Sequence, residues 1–431
     1  MEERDILGVL EDMSQAKYAD IRILKQREVE VSLRNESFDF NESYFEKAVL
    51  RALKNGYSIA STDKLDVENI KKVSRIALKQ ANEIKKVTEL IPVQPEEGSY
   101  THPQKIKFNV EESIDFLRGI EGNIRDKLSG DFRTELILSH RCIDSHLITS
   151  EGTNVREKTP STDFIIYILK NGSKQGYSTK IIGGIGGFEV VKDRKWEDII
   201  EKLIERINFS LKAKIMPVSG KFDVILDSEV TGALAHEISH FLEADVYRRS
   251  FFGFENEELE IIDDPTLKNE YGSFKWDDEG VRGKKKVLIK EGEVDLLHTR
   301  LTAKTSDEAG NAHGIVRMPR PMISNVYVNP SDWREEEIFE ETKSKFYVEG
   351  IVRAMSDTTD GRIEITPEIA YLIDREERVP LKHLRIQLNV SEIQKIDAIG
   401  DTCRFRPSIE KGFMVSEGGP YVRIQKVLVT S

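Results

Sequence analysis

The period of the hydrophobic pattern changes along this chain, and that change constrains the fold more than any other feature. Up to about residue 215, segments with apolar residues every three to four positions interleave with segments that alternate. Beyond that point almost every apolar run alternates. A period near 3.6 buries one stripe of a helix, and a period of 2 buries one face of a strand. The chain is therefore expected to be α+β, with α/β N-terminal and middle regions and a β-rich C-terminal half.

Residues 6–17, Ser43–Lys54, Val67–Lys86, Val110–Leu128 and Trp196–Lys212 are expected helices. Tyr18–Leu24 and Glu28–Leu33 are expected to pair as a hairpin, and Tyr57–Ser61, Arg133–Ser139 and Asp163–Leu169 to be strands. After residue 215 the expected strands are Phe222–Leu226, Lys285–Ile289, Asn325–Val328, Ile363–Ile365 and Leu384–Val390. Ile91–Pro103 carries three prolines and little periodicity, which suggests a linker. This divides the chain into an N-terminal α/β domain (1–90), a linker (91–107), a middle domain (108–215) and a C-terminal domain (216–431).

With 64 basic and 76 acidic side chains the net charge is −12, which disfavours nucleic acid as a partner. No stretch approaches the roughly 20 apolar residues that span a bilayer, and the charged start lacks a signal-peptide core, so a cytoplasmic protein without a membrane partner is expected. Two distant cysteines, Cys142 and Cys403, cannot make a disulfide framework.

The chemistry points to Thr231–Asp245, around His236-Glu237-Ile238-Ser239-His240. On a helix, i and i+4 imidazoles share a face and can hold one ion, and the neighbouring carboxylate can take a proton from a metal-polarised water. His236, His240 and Glu243 form one stripe, while Leu234, Ile238, Phe241 and Leu242 form the opposite one. Ser228 and Thr231 are candidate N-caps. The pattern also occurs by chance, two histidines on an exposed helix face being commonly just solvated, and the local motif offers no third ligand. Elsewhere, Cys142 is expected to be structural, Gly183–Gly187 a tight turn, His298 and His313 solvated or hydrogen-bonded, and Asp277-Asp278-Glu279 a solvated turn.

The segment Ala235–Asp245 resembles the signature helix of the TldD/PmbA family. Asp277-Asp278-Glu279-Gly280, Arg320–Tyr327 and the opening Tyr18–Arg22 are similar to further family segments, so the resemblance covers nearly the whole chain. It implies a motif-bearing, TldD-type zinc metallopeptidase acting on unfolded or extended peptides. It further implies one Zn2+ per chain, held by His236, His240 and Cys403, with Glu237 as the base. Cys403 enters because Ile399–Cys403 and Val415–Ile424 look like the family's C-terminal ligand region. The resemblance also implies a homodimer, or a heterodimer with a motif-lacking PmbA/TldE-like homologue. Two departures stand out. The family motif has three residues between Glu and the second His where this chain has two, and Arg404-Phe405-Arg406-Pro407 replaces a glycine-rich stretch. The rival readings are a catalytically silent peptide-binding subunit and a zinc amidohydrolase acting on non-peptide amides.

Overall fold

The computed structural model describes residues 3–85, 89–171, 175–253, 256–340, 346–374 and 377–431. Its architecture is α+β, built on three large sheets. The first has seven strands and draws on both the N-terminal and middle regions. Its order is Tyr57–Thr62, Ser37–Leu53, Tyr18–Arg34, Phe132–Thr149, Asn154–Lys170 and Glu97–Thr101, with Gly176–Ile185 also paired to Asn154–Lys170.

Three expectations change here. Tyr18–Leu24 and Glu28–Leu33 form one continuous strand, because Lys25-Gln26-Arg27 contains no turn former. The chain turns instead at Asn35-Glu36, both at positive φ (46° and 72°), which is the geometry that suits a two-residue hairpin. Ser43–Lys54, expected as a helix, lies in the strand Ser37–Leu53. Ala48 to Leu53 are all buried, so the strand shows no alternation, and pairing along the whole neighbouring strand overrides a weak local preference. Within the proline-bearing segment, Glu97–Thr101 adds a parallel edge strand beside residues 154–158 of the strand Asn154–Lys170.

Helices Val110–Lys127 and Trp196–Lys212 lie within a residue of their expected bounds, and their apolar stripes pack on this sheet with Leu136, Leu138 and Phe164. The first helix is Glu3–Asp12, and Val67–Glu83 covers most of another expectation, whose final residue, 86, lies outside the described residues. None of the described helices is long and apolar enough to cross a membrane.

In the C-terminal half, Ser219–Leu226 lies between Phe346–Asp357 and Val422–Thr430. Arg385–Asn389 and Arg362–Asp374 follow, and Arg362–Asp374 pairs back to Phe346–Asp357, so five strands close into a ring. A second sheet carries Ile261–Asp263, Asn325–Val328, Phe413–Gly419 and Arg404–Glu410 in order. The helix Ser228–Ser239 is sandwiched between the two sheets, and its Val230, Leu234 and Ile238 share one core with Val326, Val348 and Val415.

Charged contacts join the first sheet to the C-terminal half. Arg51 and Asp20 form a fully buried pair, and Arg51 also donates to the carbonyl of Asp278 at 2.6 Å. Asp277, Asp278 and Glu279, expected to be a solvated turn, are thus buried. Backbone N–H groups hold the Asp277 carboxylate, and Arg22 pairs with Asp278.

Candidate metal centre

Strand Ser219–Leu226 feeds directly into the helix through Asp227, whose carboxylate accepts from the N–H of Val230. Asp227 is the N-cap, and the expected caps Ser228 and Thr231 lie inside the helix. One turn on, the helix is pressed against strand Phe413–Gly419. A Cβ on Gly232 would stand 3.0 Å from the backbone of Glu417 and Gly418. This close approach brings His236 to Glu417, with Nδ1 2.7 Å from the carboxylate. Arg406, from the adjacent strand, holds the other carboxylate oxygen of Glu417.

The regular helix ends at Ser239, and His240 opens a 3-10 turn, His240–Leu242. Its Nδ1 lies 2.9 Å from Glu243, which Arg320 and Lys411 also approach. Both imidazoles therefore have Nδ1 engaged by a carboxylate, and both turn Nε2 toward Glu410, at 3.5 Å for His236 and 3.9 Å for His240. One donor atom each from His236, His240 and Glu410 lies within 4.8 Å of the others. The histidines are buried or nearly so, unlike a solvated pair on a helix surface.

Burial disfavours a charged His236, but hydrogen bonds to Glu410 and Glu417 override it and hold the imidazole up at about 10. Burial likewise opposes ionisation of Glu410 and Glu417. His236 and Lys411 hold Glu410 down at about 2, and Arg406 and His236 do the same for Glu417. Glu237 is buried beside the pair, and its side chain has no hydrogen-bond partner among the described residues.

Among the described residues, Cys403 does not join this donor group. It immediately precedes strand Arg404–Glu410, which ends at Glu410. Seven residues of extended chain separate the two by about 20 Å. The thiol is half-buried near Glu270, and burial first, then that carboxylate, push it up to about 12. The third donor near the histidines is Glu410, which sequence reasoning missed. Its signal was Lys411-Gly412, a two-residue turn with φ of 51° and 89° joining two short strands. Glu417 was missed too. Cys142 lies mid-strand in Phe132–Thr149, outside the centre. His298 is buried and hydrogen-bonded, its Nδ1 3.2 Å from the Thr302 hydroxyl, in keeping with one of the two expected alternatives, whereas His313 is buried with its Nε2 unpartnered among the described residues.

Two imidazole nitrogens and a carboxylate oxygen, with the imidazoles steered by carboxylates from behind, form a donor set suited to zinc. The family models for the PmbA/TldA metallopeptidase match three stretches: domain 1 over residues 19–81, the central domain over 105–211 and the C-terminal domain over 219–431. A metalloprotease of Methanocaldococcus jannaschii is 30% identical over 410 residues, covering 89% of each chain. A metalloprotease TldD homolog of Buchnera aphidicola is 29% identical over 281 residues, covering 59% of this chain and 57% of its own. The crystal structure of TldE from Thermococcus kodakarensis superposes with a TM-score of 0.77, covering 98% of this chain and 100% of its own, at 16% identity. At that identity the likeness is one of fold.

Proposed function

Because the chain belongs to the PmbA/TldD metallopeptidase family, we propose that it hydrolyses peptide bonds with one zinc ion held by His236, His240 and Glu410. The observation that carries this reading is the convergence of both Nε2 atoms on the Glu410 carboxylate, with each Nδ1 already engaged. When bound there, zinc supplies a Lewis acid that polarises the scissile carbonyl and acidifies water. Glu410 takes the place that the resemblance gave to Cys403, so the ligand set becomes two imidazoles and a carboxylate.

The residues around the ion have separate tasks. Glu417 and Glu243 fix the imidazole rings by accepting from Nδ1 and make Nε2 the better donor. Arg406 secures Glu417, and Lys411 and Arg320 secure Glu243. Glu237, adjacent in sequence to His236 and uncommitted, takes the proton of the attacking water and returns it to the leaving amine. The substrates in this reading are extended peptides, and the working assembly is a dimer, either of two copies or with a TldE-like partner of similar fold.

Glu237→Gln tests the mechanism. The variant should keep its metal and fold while peptide cleavage falls by about 10²–10⁴-fold. Near-normal cleavage would remove Glu237 from the mechanism.

A further inference from the structure

A cavity of about 580 Å³ is lined in part by Lys411, whose ammonium lies 3.0 Å from Glu410 and 3.7 Å from Glu243 of the candidate centre. Ile409, Lys411 and Phe413, which flank Glu410 on its hairpin, form part of its wall. The floor is one face of the seven-stranded sheet. Arg22, Leu24 and Gln26 alternate along one strand and Ile143, Ser145 and Leu147 along its neighbour, so all six point to the same side. The register pairs Arg22 with Leu147, Leu24 with Ser145 and Gln26 with Ile143, and the next row reaches Arg141. Those rows, about 6.7 Å apart, give a floor of about 20 Å, the length of six residues of extended chain.

The opposite wall, from the C-terminal half, is apolar at Phe274, Ile315 and Met414 and charged at Asp278, Arg317 and Lys411. Apolar groups continue to the rim, where Phe45 is 38% exposed and Val316 49% exposed on opposite walls. Two guanidinium nitrogens of the floor are buried without a hydrogen-bond partner among the described residues, Arg141 Nε and Arg22 Nη2; Arg22 is 7% exposed, and its Nη1 donates to Ser145 at 2.7 Å and pairs with Asp278 at 3.3 Å. A guanidinium N–H of this kind suits a peptide carbonyl oxygen.

Resting on the peptidase reading above, we propose that this cavity selects extended peptide segments by their large apolar side chains, with Arg22 holding the backbone of the bound segment. Leu24 and Ile143 below and Phe274 and Met414 above make the specificity surface, and Leu147 and Trp276 pack together at the Arg22 end of the floor. Continuity with the Glu410 hairpin argues for substrate over any unrelated ligand, and the length of the floor argues for an extended chain.

The test is fluorescence anisotropy with the full-length Glu237→Gln chain and two labelled six-residue peptides. One carries Phe and Leu at alternate positions, and the other carries Ser at those positions. The Phe/Leu peptide should bind at least tenfold tighter, since burying even one such side chain is worth that factor. Val316→Asp and Phe45→Asp, both at exposed positions, should each weaken the Phe/Leu peptide severalfold while metal content stays constant. Arg22→Lys should weaken both peptides alike. Equal binding of the two peptides, or rim variants without effect, would overturn the selectivity. Those results would leave the peptidase reading standing if the wild type still cleaves. Conversely, tight Phe/Leu binding by a chain whose wild type cleaves nothing would uphold the cavity assignment and sink the peptidase reading.

Discussion

At the residue scale, the part each carboxylate plays follows from which imidazole atoms it faces. Glu410 faces both Nε2 atoms, whereas Glu417 faces only the Nδ1 of His236, on the far side of the ring. Losing Glu410 should therefore remove a ligand, and losing Glu417 should only loosen one. Glu417→Gln is expected to weaken zinc affinity about 10–100-fold, and Glu410→Ala to weaken it more, in competition titrations with a chelating dye. Equal losses, or a greater loss for Glu417→Gln, would contradict the assignment. That His236 and His240 lie side by side was legible from spacing alone, because the i,i+4 relation is local. The proposed third ligand was not, because Glu410 lies 170 positions after His240 in sequence and only the strand pairing brings it in. Cys403 entered by resemblance, and the seven-residue strand after it carries the thiol away.

At the element scale, the helix and the hairpin that frame the centre are held together by missing side chains. Gly232 meets the backbone of Glu417 and Gly418, and a Cβ on Gly419 would stand 2.5 Å from Thr231. Gly232→Val should push the helix off the strand, costing about 1–3 kcal/mol of stability and weakening metal binding in parallel. Chemical denaturation and zinc titration check the two together. An unchanged denaturation midpoint would show that the approach is not tight. Elements of this kind were unevenly legible. Trp196–Lys212 was plain because one face alone is buried. Ser37–Leu53 was misread because the end of that strand is covered on both faces and loses its alternation. The 3-10 turn at His240 also escaped the reading, since a single continuous helix satisfies the same apolar spacing.

At the scale of the whole molecule, the first sheet and the C-terminal half meet through buried charge. Glu279 accepts from the N–H of Arg300, yet its second oxygen is buried without a partner. Burial, then the neighbouring Asp277, raise its carboxyl from 4.5 to about 7. The folded state thus holds this proton more tightly than the unfolded chain. The stabilisation is complete below pH 4.5 and is lost as pH rises through about 7. Thermal unfolding from pH 5 to 8 should show wild type losing stability relative to Glu279→Gln, by an amount on the order of 1–3 kcal/mol. Parallel curves for the two proteins would mean that the carboxyl is not perturbed. The same long-range assembly builds the candidate metal centre from a helix in one part of the chain and a hairpin in another, so its ligand shell would report on the fold as well as the chemistry. Zinc K-edge X-ray absorption of the purified, zinc-loaded chain reads that shell directly. The account predicts nitrogen and oxygen scatterers alone, at about 2.0–2.2 Å, from His236, His240 and Glu410. A sulfur scatterer at about 2.3 Å would place Cys403 or Cys142 on the metal and contradict it.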